Sequence, residues 1–322
     1  MSVLILHDAV PPEAAPEAQD TLIQALEVMS ALRAMGMDAH RLPVGGDLCA
    51  LQRQLSVTRP EVVFNLVESI AGVDGGAVAV PALLDGLGIP YTGSNAAAQA
   101  LANDKCMAKT SMRRAGLPTA HWYPGPDGFV PGTYLVKTRF EHGSCGIDDD
   151  AVCRFEDEDT LAEAVRSRQK KLARPCFAEE YLEGREFNLS VIELHGEIRV
   201  LPAAEIDFSA FAADKPRIVG YRAKWVADSF EYAHTPRVFP RLSAALSQRL
   251  QFLAQESFRL FGLAGYGRVD FRLDREGEPV ILEVNPNPCL ASDAGFVAAL
   301  GQAGMTFEEA LNLLVNRAQC SV

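Results

Sequence analysis

Nowhere in its 322 residues does this sequence string together the roughly 18 consecutive apolar residues of a membrane-crossing helix. Its start, Met1 to Asp8, has no basic segment followed by a long apolar stretch, so no secretory signal is expected and the expected location is the cytoplasm. Its seven cysteines are an odd number, scattered, with no Cys-x-x-Cys pair. That argues against a disulfide frame or a zinc site and suits free thiols in a reducing compartment. Basic residues are in deficit, 30 Lys and Arg against 42 Asp and Glu, for a formal net charge of −12. Nucleic acid and anionic membrane are therefore not expected partners, because neither polyanion is drawn to such a surface. No Walker sequence and no Rossmann glycine fingerprint is present, so the two commonest phosphate-binding motifs are missing. Internal repeats and low-complexity tracts are missing too.

What is there is ordinary globular composition, 48% hydrophobic and 22% charged, in a chain long enough for two or three domains. Val3-Leu4-Ile5-Leu6 and Val62-Val63-Phe64-Asn65-Leu66 predict buried strands, with Asp38 to Leu42 between them. Asp20 is expected to cap a helix with Leu22, Leu26, Met29 and Leu32 on one face, stopped at Gly36. This β-α-β-α-β order predicts a parallel sheet whose ligand edge lies at the strand C-termini. A smaller unit follows: strands at Tyr134–Thr138 and Cys176–Tyr181, a glycine-bearing loop at Glu141–Gly146 and a polar helix at Asp159–Gln169. Two hairpins are predicted after it, Glu186–Leu194 with Glu197–Ile206, and Tyr266–Leu273 with Val280–Val284. A long helix is expected from Leu242 to Phe261, and Thr306 should cap the last one. The run Asp148-Asp149-Asp150 reads as a solvated turn.

The most informative segment is Gly267-Arg268-Val269-Asp270-Phe271, a turn, then Ile281-Leu282-Glu283-Val284-Asn285-Pro286. Side chains on a strand alternate, so Glu283 and Asn285 share a face, and Asp270 on the partner strand is placed to join them. Three hard oxygen donors on a rigid sheet suit Mg²⁺, which binds carboxylates, phosphates and water. A merely solvated hairpin is the weaker reading, because the apolar Val280-Ile281-Leu282 leads into Glu283 and marks a buried strand. Lysines add phosphate chemistry: Lys105, Lys137 and Lys224 lie far apart in the chain. Lys137 ends the strand Tyr134-Leu135-Val136 just before His142-Gly143-Ser144-Cys145-Gly146. Glycines there let backbone N–H groups approach phosphate oxygens, and Ser144 adds a hydroxyl. Glu179 to Phe187 leaves one unit and enters the next through Gly184. Composition leaves it open between an adenine pocket and an ordinary linker.

Taken in order, these segments resemble the ATP-grasp superfamily, and within it the D-alanine–D-alanine ligases and related carboxylate–amine ligases. The matching stretches run from Ile89-Pro90-Tyr91-Thr92-Gly93-Ser94 and Asp104-Lys105 to Tyr221-Arg222-Ala223-Lys224-Trp225 and Leu282-Glu283-Val284-Asn285-Pro286. The resemblance implies an α/β N-terminal parallel-sheet domain at 1–103, a small central domain at 104–185 and a C-terminal domain at 186–322, both α+β. It implies that Lys105, Lys137 and Lys224 contact the phosphates of ATP. Glu179 would meet the adenine amino group, Tyr181 and Leu182 would line the hinge, and Glu186 would face the ribose. Asp270, Glu283 and Asn285 become ligands of two Mg²⁺ ions, with Mn²⁺ an alternative. Arg268, Lys224 and Ser144 are the catalytic candidates, and 221–236 the mobile loop closing over the site. The implied reaction is ADP-forming ligation of a small carboxylate and an amine through an acyl phosphate, and the implied assembly is a homodimer. True D-alanine–D-alanine ligation is the first alternative; a regulatory nucleotide-binding protein or a kinase on the same fold is the further one.

The departures from the family pattern fall on the substrate side. Where those ligases place a glutamate in a glycine-rich segment after strand one, this chain reads Ala9 to Glu17, with Glu13 and Glu17 as the acidic residues. Glu68 falls near the family's histidine after the third strand. Trp225 replaces a tyrosine, and Cys145 a frequent second serine. Cys289-Leu290 replaces Gly-Met, and Ala291-Ser292-Asp293-Ala294 occupies the stretch where a serine helps grip a carboxylate. Glu68, Cys289 and Asp293 are therefore the substrate-side candidates.

Overall fold

The computed structural model describes residues 1–11, 13–140 and 143–320. Strands β1 (Ser2–Asp8), β2 (Asp38–Val44) and β3 (Val62–Asn65) form a parallel sheet in the order β2-β1-β3. Helices α1 (Pro16–Ala34) and α2 (Leu48–Thr58) make the crossovers. Because β1 is central and its neighbours follow in opposite directions, the C-terminal ends of β1 and β3 frame a topological switch point. The α1 face differs from expectation. Its helix starts at Pro16, so Asp20 lies one turn inside rather than at the cap. Thr21, Gln24, Ala25, Val28 and Leu32 turn inward, while Leu26 stays 41% exposed. Proline at the first helical position moved the start four residues upstream of the aspartate.

Helices α3 (Ala79–Leu87), α4 (Ala96–Asn103) and α5 (Lys105–Arg114) lead to a four-stranded antiparallel sheet. Its strands β4 (Trp122–Tyr123), β5 (Gly132–Thr138), β6 (Val152–Phe155) and β7 (Cys176–Glu180) are ordered β4-β7-β5-β6, with α6 (Glu158–Leu172) against them. The third sheet is antiparallel and six-stranded: β8 (Glu186–Leu194), β9 (Glu197–Val200), β10 (Ala204–Ile206), β11 (Arg237–Val238), β12 (Tyr266–Leu273) and β13 (Pro279–Asn285). The first predicted hairpin turns at His195 and Gly196, both at positive φ, but its return strand breaks into β9 and β10. Short helices α7 (Tyr221–Trp225) and α8 (Phe230–Ala233) stand between β10 and β11. Helix α9 (Ala244–Leu260) backs the sheet, followed after β13 by α10 (Gly295–Gln302) and α11 (Phe307–Gln319). Thr306 forms the anticipated capping box with Glu309.

The cores interleave along the chain. Helices α10 and α11 place Phe296, Leu300, Leu311 and Leu314 in one cluster with Val3, Ile5, Val28 and Phe64. Helices α4 and α5 add Ala98, Ala102, Ala108 and Met112 to the core of the third sheet. Burial of these apolar faces, at roughly 25 cal/mol per Å², holds the three sheets around a common cleft.

Candidate active site

The cleft is a cavity of about 680 Å³ reached by residues from all three sheets. The face with the predicted metal ligands is built by β12 and β13. Asp270 and Glu283 stand directly opposite each other, and Arg268 opposes Asn285. A register shift follows, with Phe271 opposing Ile281, so Leu282 is the extra residue of a β-bulge. The bulge resets the alternation. Ile281 stays in the core, while Leu282, Glu283 and Asn285 all line the cavity.

Cations already sit on these acids. The Arg268 guanidinium donates to both Asp270 oxygens at 2.8 and 2.9 Å, and Asn188 donates to Asp270 at 2.9 Å. Lys105 lies 3.4 Å from Glu283. Burial works to lower the Arg268 pKa, but Asp270 and Glu283 outweigh it and hold it above the ordinary arginine value. Asn285 Oδ1 accepts from the Asn287 backbone at 2.9 Å, which fixes the amide. Among the described residues no group of three His, Cys, Asp or Glu is placed to hold a metal. The set of two carboxylates and an amide still fits Mg²⁺, which takes few protein ligands and leaves the rest to phosphate and water.

The small sheet supplies the opposite wall. Lys137, at the end of β5, lies 2.6 Å from Glu179 on β7. Burial alone would depress this lysine, but Glu179 and Glu283 keep its pKa raised. Glu179 is 2% exposed and also contacts Lys109, 2.5 Å away. Burial favours its neutral acid form, yet the two lysines outweigh that and hold its pKa low. Tyr181 and Leu182 line the cavity. The Tyr181 N–H is taken by Thr133, and the Leu182 carbonyl accepts from Arg272 at 2.7 Å. Glu186 receives two Arg272 bonds on Oε2, and no described residue donates to Oε1. Leu135, Leu182, Ile206 and Leu282 make apolar walls wide enough for a purine.

The glycine loop and the segment holding α7 close over the cavity together. Ser144, at φ +63°, donates its hydroxyl to the Val219 carbonyl at 2.9 Å. The Trp225 indole donates to Gly143 at 2.8 Å, and the Tyr221 N–H to Ile147 at 2.8 Å. Lys224 and Cys145 line the space beneath. In this state the Ser144 hydroxyl is spent on the covering loop. Glu141 and His142, which open the anticipated loop, and the Glu17 side chain lie outside the described residues.

The far end of the cavity is acidic. Asp8 ends β1 and accepts from the Glu68 N–H at 2.9 Å and the Ser69 hydroxyl at 2.6 Å. Gln24 donates to Glu68 at 3.0 Å, and the Cys289 thiol lies 3.1 Å from Asp20. Glu68 is exposed to the cavity, yet the protein around it, then Asp8, pushes its carboxyl up to about 8. Burial, reinforced by Asp20, also raises the Cys289 pKa and keeps the thiol protonated. Asp293 lines the same end, where its backbone carbonyl accepts from Arg237 at 3.2 Å. It caps no helix, since α10 is preceded by Ala294. Glu13 is exposed and outside the cavity lining.

Sequence reasoning missed Lys109, Asn188, Asp8 and the role of Asp20. A signal existed for two of them. Asp8 ends the central parallel strand, where ligands bind. Lys105, Ala108, Lys109 and Met112 have the i, i+3, i+4, i+7 spacing of an inward helix face, and all four are buried.

Comparison with known proteins agrees with this geometry. The family model described as D-ala D-ala ligase C-terminus matches residues 134–316. A D-alanine–D-alanine ligase of Acidiphilium cryptum is 32% identical over 314 residues, 95% of this chain and 96% of the relative. Uncharacterized protein y4sG of Sinorhizobium fredii is 32% identical over 257 residues, 78% of this chain and 72% of the relative. The crystal structure of a Bacillus anthracis D-alanine–D-alanine ligase complexed with ATP superposes with a TM-score of 0.73 at 19% identity, covering 99% of this chain and 97% of that one. Fold and site thus define an ATP-grasp enzyme: an ADP-forming ligase that uses ATP and a divalent metal to join a carboxylate to an amine. Within that class the chain belongs to the D-alanine–D-alanine ligase family.

Proposed function

We propose that this ligase activates a small carboxylate as an acyl phosphate and passes it to an amine held at the acidic end of the cavity. The observation that carries the reading is the facing pair Asp270 and Glu283, with Asn285, in one cavity with Lys105, which pairs with Glu283, and Lys137. Asp270, Glu283 and Asn285 would hold two Mg²⁺ ions, or Mn²⁺, which supply neutralisation of phosphate charge. Glu179, Tyr181, Leu182 and Glu186 would hold the adenosine, and Lys105, Lys137 and Lys224 the phosphates.

The carboxylate oxygen attacks the γ-phosphorus, the bond to the β-phosphate oxygen breaks, and ADP leaves. The resulting acyl phosphate is a good electrophile. The amine attacks its carbonyl carbon, the phosphate leaves, and a proton is lost from the new amide nitrogen. Arg268 is placed to steady the charge on the tetrahedral centre. The cover made by Trp225, Tyr221 and Ser144 keeps water from the acyl phosphate.

Charge supports the amine's place. Asp8, Asp20 and Glu68 meet only neutral donors among the described residues: a hydroxyl, a thiol, an amide and a backbone N–H. An ammonium is the partner this group lacks. A Glu68 carboxyl poised at about 8 is matched to taking the amine's proton near neutrality. D-alanine–D-alanine ligation is the second reading, favoured by relatives of that name at 30–33% identity.

The test is ADP release across pooled D- and L-amino acids, amines and small acids, with product masses. Turnover on D-alanine alone at the highest rate establishes the second reading. No ADP release with any pair overturns both. The same reading includes a three-unit division at 1–103, 104–185 and 186–322, supported by the three sheets and tested by limited proteolysis. It also includes a cytoplasmic homodimer without nucleic-acid or membrane partners. Ile23 and Leu26, exposed one turn apart on α1, and the charge of −12 support this, and sedimentation tests the dimer.

A further inference from the structure

Lys109 is a lysine with no exposed surface, and the chemistry above does not use it. A buried ammonium is costly unless it is paired and hydrogen-bonded. Lys109 meets that condition with three partners. Its Nζ is 2.5 Å from Glu179 Oε1, donates to the Thr119 hydroxyl at 3.0 Å, and donates to the Ala120 carbonyl at 3.3 Å. The other Glu179 oxygen faces Lys137 at 2.6 Å. One carboxylate therefore serves two lysines; burial lowers the Lys109 pKa against the pull of Glu179, and with both lysines protonated the group carries a net positive charge.

The contacts also cross between sheets. The Thr119 hydroxyl that receives the Lys109 proton donates its own to the Ile281 carbonyl at 3.0 Å. The Ile281 N–H is bonded to Pro118 at 2.9 Å. Ile281 precedes Glu283 by two residues on β13. An ion pair followed by two hydrogen bonds thus joins Glu179 on the small sheet, through Lys109 and Thr119, to the strand that carries Glu283.

We propose that Lys109 is a positioning residue for the nucleotide, holding one oxygen of Glu179 so that Lys137 keeps a net positive charge for the phosphates, and fastening Glu179 to β13. The proposal rests on the reading of the cavity as the ATP site. Without Lys109, Glu179 and Lys137 form a closed neutral pair. The potential at the phosphates drops by one charge, and both the charge and the ion pairing of Glu179 then fall on Lys137.

The experiment is calorimetric titration of purified protein with a non-hydrolysable ATP analogue and Mg²⁺, with thermal unfolding to establish folding. Lys109→Met is expected to weaken analogue binding about tenfold or more, whereas Lys109→Arg stays within about threefold. Steady-state kinetics should show the loss in the KM for ATP, with kcat changed less than about threefold. The deciding comparison is between ligands. Charge withdrawn from the phosphates weakens the triphosphate analogue at least about threefold more than AMP, which lacks the β- and γ-phosphates. A merely structural Lys109 predicts that binding of the two falls by the same factor. That result, or Lys109→Met binding the analogue as wild type does, overturns the proposal. If Lys109→Met does not fold, Lys109→Gln, which keeps a donor for Thr119 but no charge, takes its place: analogue binding as in wild type, or an equal fall for AMP, overturns it. Wild-type protein that binds no analogue sinks the ATP-site reading itself, and so is told apart from failure of the Lys109 assignment.

Discussion

Glu283 holds two roles at once, facing Asp270 across the paired strands and neutralising Lys105 at 3.4 Å. Glu283→Ala would remove a proposed metal ligand and one partner of the buried Lys105 ammonium. ADP release is expected to fall at least about 100-fold, read in a coupled assay; near-wild-type turnover would remove Glu283 from the metal site. Glu68 governs a pH effect. Its carboxyl is neutral in both folded and unfolded chains below about 4.5 and ionised in both above about 8. Between those values the unfolded chain ionises first, so the contribution of Glu68 to stability falls as pH rises. Glu68→Gln should flatten the fall in melting temperature between about pH 5 and about pH 8, measured by thermal unfolding at matched ionic strength. An unchanged slope would show that Glu68 titrates near its ordinary value. Most of the residues that line the cavity opposite its acidic end were legible in the sequence because lysines at strand ends and an acid after an apolar triplet are local patterns. Lys109 was not singled out, because a lysine on a helix ordinarily points to water.

At the scale of elements, the covering segment depends on one glycine. A Cβ on Gly220 would fall on the Ile147 carbonyl oxygen, the acceptor of the Tyr221 N–H. Gly220→Ala should push α7, with Lys224 and Trp225, away from the glycine loop. The expected outcome is a fall of about tenfold or more in kcat/KM with a rise in ADP formed per amide bond made, as water reaches the acyl phosphate. Parallel assays of ADP and product check it; unchanged coupling would show that the segment does not seal the site. Element types were readable from period and caps, as with Thr306 and the β12–β13 hairpin. The bulge at Leu282 was not readable, because the extra residue shows only when two strands are laid in register.

The whole molecule gathers Asp8, Glu68, Lys137, Glu179, Arg268 and Glu283 from three sheets into one cavity. A nucleotide bridging those sheets must stabilise their assembly. At a hundredfold excess over its Kd, MgADP should add about 2.7 kcal/mol, a rise of roughly 4 °C in melting temperature. Lys137→Met should lose most of that rise while the free protein melts within a few degrees of wild type. An equal shift in the variant would place the phosphates elsewhere.

The sequence by itself determined the α/β class, the parallel first sheet, the lysines, the glycine loop and the paired strands of Asp270 and Glu283, because each is a pattern within a few residues that backbone geometry converts directly into structure. Only the tertiary structure decided that Asp20 faces Cys289, 269 positions away, that Glu68 meets Asp8 and Gln24, and that Lys109 shares Glu179 with Lys137. Those meetings depend on how helices seat on sheets, where burial of many apolar side chains at once outweighs the preference of any single residue for water.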